Sequence, residues 1–128
     1  MGLVTQHHEW ADEHRPAAAT QATISRDADA GGRHVCKSIT VTLAAVGTAS
    51  GAEVAVLRDG ATGAGTVLWS GVLSVPTNSS NNIAISGLNI IGTKGTAMTL
   101  EFVAGGAAAT FESVALSGYT CKENYVGV

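Results

Sequence analysis

Between Glu53 and Leu73 the chain reads EVAVLRDGATGAGTVLWSGVL, two alternating segments about a glycine-rich reversal. Val54 and Val56 alternate with Glu53 and Ala55, the two-residue period of a strand with one buried face. Asp59-Gly60 and Gly63-Ala64-Gly65 break that period, because glycine reaches the positive-φ conformations that a tight reversal requires. Val67, Trp69 and the apolar residues up to Leu73 resume it. A β-hairpin is predicted here, and its turn carries no obvious catalytic group.

The same alternation recurs along the chain. Thr20–Arg26 is rich in β-branched residues, and Asp27–Gly32 has the composition of a loop. In His34–Val46, Val35, Ile39, Val41, Leu43 and Ala45 are assigned to one face and Cys36, Ser38, Thr40, Thr42 and Ala44 to the other, with Lys37 the exception on the apolar face. Residues 76–82, PTNSSNN, have the composition of an exposed loop. Ile83 and Ile85, then Met98, Leu100 and Phe102, then Val114 and Leu116 mark further half-buried strands. This makes about seven or eight short strands at intervals of about ten residues, with no helical period of useful length. The predicted fold is all-β, an antiparallel β-sandwich of jelly-roll or immunoglobulin-like type, with an extended N-terminal arm. Residues 1–19 are assigned to that arm, lying outside the core, 20–119 to the sandwich and 120–128 to a C-terminal tail. Arg15-Pro16 disfavours a continuous helix through the arm.

Charge narrows the function. Only 13% of residues are charged, about half the usual share. Eight charged residues fall in 1–33 and nine in all the rest. A domain surface of Ser, Thr, Ala and Gly favours packing against neighbours over a solvated monomer. A net charge of −3 gives no electrostatic basis for binding nucleic acid. No apolar run approaches the roughly 18 residues of a membrane span, and MGLVTQHHEW has no apolar core of a signal peptide.

Chemistry-bearing residues are few. His7, His8, Glu9, Asp12, Glu13 and His14 are metal-ligand types, but no HExxH or paired-Cys spacing orders them, and no metal or cofactor is expected. His34 and Cys36 share a strand face without an orienting Asp or Asn, which favours a structural pair over a nucleophile. Glu101 and Glu112 are expected to be solvated surface carboxylates. No GxSxG elbow or phosphate loop is present, so no catalytic residue is assigned. Trp69 is assigned to the core as its largest wedge rather than to a sugar platform, which needs several exposed aromatics in a chain that has six. The pairing of Cys36 with Cys121 is left open, with two free thiols favoured. The residues best suited to contact a partner are Trp10, as an arm anchor, with His14, Arg15, Tyr119 and Tyr125.

The blocks TQATISR (20–26), RHVCKSITVTLA (33–44), VLRDGATGAGTVLWS (56–70), LNIIG (88–92), TAMTLEF (96–102) and ESVALSGY (112–119) together resemble small structural proteins of tailed bacteriophages and prophages. The resemblance covers nearly all of residues 20–119 and contains no catalytic motif. It implies a virion protein, assembled in the host cytoplasm. The best-fitting role within it is a capsid decoration, or cement, protein, a homotrimer whose partner is the major capsid protein. Alternatives are a tail, head–tail junction or fibre protein, or a carbohydrate-binding adhesion module with Trp69 and Tyr119 exposed.

Overall fold

The computed structural model describes the backbone of residues 2–126 and the side chains of residues 7–122. Nine strands follow in order: β1 Gly2–His14, β2 Thr23–Arg26, β3 Gly32–Ala45, β4 Ser50–Asp59, β5 Thr66–Val75, β6 Ser79–Ile85, β7 Ile90–Ile91, β8 Met98–Phe102 and β9 Thr110–Val126. They form two antiparallel sheets. One has the order β1-β9-β3-β6, with β7 also on β3; the other has the order β2-β8-β4-β5. The pairing is nested. β4 pairs with β5, β3 with β6, β2 with β8 and β1 with β9. A single long hairpin, folded over on itself, produces this order, which is that of a jelly roll. The all-β sandwich is as the sequence predicts, and the nesting selects the jelly roll over the immunoglobulin-like order.

The Glu53–Leu73 hairpin is the tip of that ribbon. Its turn uses positive φ at Gly60, Gly63 and Gly65. A Cβ on Gly65 would overlap the Asp59 carbonyl oxygen, so the reversal excludes any side chain there.

Between the sheets, Ile39, Val41 and Leu43 of β3 and Val114 and Leu116 of β9 meet Leu57 of β4, Leu73 of β5 and Met98, Leu100 and Phe102 of β8. Each is almost completely buried, and burial of such a side chain contributes about 1.5–3 kcal/mol. Phe102 is the largest fully buried side chain.

Four sequence expectations are corrected. First, residues 1–19 do not lie outside the core as an arm: Gly2–His14 is the edge strand of the larger sheet and pairs along its whole length with β9. An edge strand needs only one covered face, and Trp10 with the backbone ladder supplies it, so a polar sequence still forms a strand. Second, the expected tail from residue 120 continues β9 through Val126, and only the last two residues lie outside the described ones. Third, β3 carries a bulge between Cys36 and Ser38. The extra residue, Lys37, is exposed and inverts the faces before it: Cys36 turns into the core between the sheets, and Val35 leaves that core but stays buried. Fourth, the loop expected at 76–82 is shorter, because Ser79–Asn82 already pair with β3.

Gly118 lies opposite Trp10 in the β1–β9 register. A Cβ there would overlap the Val35 carbonyl oxygen and stand 3.1 Å from the Trp10 ring. Gly118→Ala is therefore expected to cost about 1–3 kcal/mol or more, measured by urea unfolding, since backbone must move to admit the methyl. Wild-type stability in this variant would mean that the close approach is absent.

Candidate functional site

The most developed polar cluster sits where β1, β9 and β3 meet the β2–β3 loop. Trp10 Nε1–H donates to Thr120 Oγ1 at 3.0 Å. Thr120 Oγ1 lies 2.7 Å from His34 Nδ1, and His34 Nε2 lies 2.7 Å from the Asp27 carbonyl oxygen. A carbonyl only accepts, so Nε2 carries the hydrogen and Nδ1 accepts from the threonine hydroxyl. Hydrogen bonding thus runs in one direction from indole to hydroxyl to imidazole to backbone. The Trp10 and His34 rings meet edge to face at 6.0 Å, and the Arg26 guanidinium lies 4.8 Å over the indole. Arg26 also bonds Asp12 at 3.1 Å. Lys122 bonds Asp29 at 3.0 Å and holds that exposed carboxyl below its ordinary range. Every polar group of the His34 triad is spent inside the fold, which leaves none to act on a substrate.

Cys36 shares the inner face with His34, yet its thiol bonds the Ser38 carbonyl at 3.7 Å. Burial pushes the thiol up to about 11, so it stays protonated and weakly nucleophilic at neutral pH. Cys121 lies on the opposite face of the same sheet, across from His7 and Arg33. The two cysteines are on adjacent strands but point to opposite sides, and both are free.

Glu101 and Glu112 correct another expectation, because neither is solvated. Both are almost completely buried. Glu101 projects from the outer face of β8, where the β4–β5 turn closes over it. It accepts from Arg58 Nε at 2.9 Å, Gly63 N–H at 2.8 Å, Thr23 Oγ1 at 3.2 Å and Gln21 Nε2 at 3.4 Å. Glu112 lies on the inward face of β9, with Val114 and Leu116. One oxygen accepts from the Ala22 N–H at 3.0 Å, and the other has no partner. Loss of water raises this carboxyl to about 7; the Ala22 bond opposes the shift and the nearby Glu53 charge adds to it. Glu53 is raised as well, chiefly by desolvation.

The metal-ligand types of β1 diverge by strand alternation, with His7, Glu9 and Glu13 on one face and His8, Asp12 and His14 on the other. Among the described residues no group of three or more His, Cys, Asp or Glu converges.

The contact residues expected from sequence occupy separate places. Trp10 is not a free anchor: it is 8% exposed and packs in its own core. His14 Nδ1 accepts from the Thr23 N–H. Arg15 makes an exposed ion pair with Glu13. Tyr119 stacks on His7 at 4.7 Å, and both line a surface hollow of about 660 Å³. The Tyr125 side chain lies outside the described residues. Trp69 is half-buried rather than the core's largest wedge; its ring runs over Gly71 toward Ile83. Sequence reasoning missed Thr120, whose role depends on the β1–β9 and β3–β9 registers, Glu53, which acts on Glu112 from the opposite sheet, and Asp27, whose loop carbonyl meets His34.

The fold and these clusters define a jelly-roll domain whose buried polar groups serve its own structure. No family model matches the chain, and no curated protein matches it in sequence. In fold it is similar to solved structures of Desmodium yellow mottle tymovirus (10% identity, TM-score 0.40, 100% of this chain and 93% of that one). It is also similar to Tobacco streak virus coat protein (10%, 0.35, 91% and 84%). A third is the CBM36-1 domain of a multidomain xylanase from the hindgut metagenome of Trinervitermes trinervoides (12%, 0.35, 94% and 100%). Likeness at this level assigns no function.

Proposed function

We propose that this chain is a non-enzymatic structural protein of a virion, and specifically a capsid decoration protein that associates with itself and ties neighbouring capsid subunits together. The observation that carries the proposal is the outer face of the larger sheet. Ser38, Thr40, Thr42 and Ala44 of β3 lie opposite Ser117, Ala115, Ser113 and Phe111 of β9. This field is uncharged and partly exposed, and Phe111 is exposed at its end. The smaller sheet adds exposed Val54 and Val72, which are direct cross-strand partners. Such surfaces supply contact area rather than chemistry. The sequence resemblance to phage structural proteins points the same way.

A carbohydrate-binding module needs exposed rings on a flat face. Here Trp10 is buried, Trp69 is packed at the sheet edge and Tyr119 is stacked on His7, which leaves Phe111 as a single exposed ring among the described residues rather than a platform. The test is thermal disruption of purified capsids with and without the protein. Added protein is expected to raise the disruption temperature by several degrees, at a stoichiometry of hundreds of copies per particle. An unchanged temperature overturns the decoration role, and a few to tens of copies per particle moves the protein to the tail or junction.

A further inference from the structure

We propose that the free edge of β1 pairs with the same edge of a second copy of this chain, antiparallel and centred on Trp10, joining two larger sheets into one. The proposal rests on the fold alone and stands whether or not the protein decorates a capsid.

β1 ends its sheet and pairs only with β9. Its thirteen residues keep one unbroken register, so every second residue directs its N–H and C=O away from the molecule. Edge strands are normally blunted by charged side chains, Lys above all, or by Pro, bulges or short length, and the charges β1 does carry, Glu9, Asp12 and Glu13, lie among histidines that can pair with them. Gly2–His14 contains no Lys and no Pro, and it has no bulge. Of the other edges, β2 has four residues and β5 is irregular at two points against β4; β6 is also regular but has seven residues, about half the length of β1. The side chains of His7, His8, Glu9, Ala11 and Glu13 along the β1 edge are exposed.

Charge complementarity fits a second copy in this register, which gives more histidine–carboxylate pairs than the neighbouring ones. In an antiparallel pair centred on Trp10, residues equidistant from it face each other. His7 then meets Glu13 of the second copy, and His8 meets Asp12 of the second copy. Two-fold symmetry repeats both, giving four histidine–carboxylate pairs with no like charges opposed. Glu9 meets Ala11. Centring on Glu9 or Asp12 sets like carboxylates against each other, and centring on Ala11 opposes Glu9 to Glu13 and His8 to His14. Glu13 gives up only an exposed pair with Arg15 to take part. Arg26 bonds one oxygen of Asp12 and leaves the other free.

Sedimentation velocity over a concentration series tests this, with amide hydrogen exchange as a second readout. The wild type is expected to form dimers, and alternate amides between His7 and Glu13 are expected to gain protection as it does so. His7→Glu is expected to weaken dimerisation at least tenfold, because it faces Glu13 of the second copy. The swap His7→Glu/Glu13→Lys is expected to restore it. Thermal unfolding confirms that both variants remain folded, since these side chains are exposed. A monomer at every concentration, a trimer, a dimer indifferent to the charge reversal, or unchanged β1 amides each overturns the proposal. Capsid binding by a strictly monomeric wild type would separate its failure from that of the decoration role.

Discussion

Arg58→Met is expected to lower the unfolding free energy by about 3–5 kcal/mol, because it leaves Glu101 as an unpaired charge inside the protein. The pair is well buried, with 15% of the Arg58 side chain and 1% of the Glu101 side chain exposed. Methionine fills much of the arginine stem volume, so the loss is electrostatic more than steric. The double variant Arg58→Met/Glu101→Gln is expected to recover most of that loss. Glutamine removes the charge and keeps an oxygen for the Gly63 N–H, and its amide can donate to Thr23 Oγ1. Urea unfolding of the single and double variants measures both effects. If the single variant matched the wild type, Glu101 would have to be open to water.

The second large effect is a dependence on pH. An exposed glutamate releases its proton at an ordinary value of 4.5, whereas Glu112 in the fold holds it to about 7. Between these values the folded chain binds more protons than the unfolded chain, so stability falls as pH rises. This contribution is complete below pH 4.5 and lost above about 7, an interval worth about 3 kcal/mol. Glu53, raised in the same direction, adds to the slope. Glu112→Gln mimics the protonated form: its oxygen still accepts from Ala22, and its amide replaces the orphaned oxygen. The variant is expected to be more stable than the wild type at pH 8 by up to about 3 kcal/mol and close to it at pH 4.5, in urea unfolding at both values. Parallel pH profiles for the two proteins would show that Glu112 titrates as an ordinary surface group.

The hairpin at Glu53–Leu73 and the strands at 98–102 and 110–117 were legible because alternation and glycine turns are local signals. Burial of Glu101 was not. A carboxylate alternating with Leu100 and Phe102 reads as the wet face of a strand, and the groups that cover it, Arg58, Gly63 and Gln21, come from two distant segments. Glu112 differs: it shares the period of Val114 and Leu116, so alternation already directs it inward, and what the local sequence does not show is its N–H donor, Ala22. The facing of Cys36 depended on one extra residue at Lys37, which no periodicity discloses. β1 was misread because most of its residues are polar, and only the far end of the chain makes it a strand. The His34 cluster was half visible: His34 and Trp10 were singled out, but the Thr120 hydroxyl that joins them lies 110 residues from Trp10.

The nested pairing also sets an order in time. The chain closes from its middle outward: β4 finds β5 across a short turn, and each later pair must close a larger loop. β1 and β9 come last, because their ladder encloses nearly the whole chain. Of the nine described strands β1 is made first and β9 last, so β1 waits for its partner with both edges unpaired while the strands between are made. Folding covers one of those edges, and the other stays open in the finished molecule.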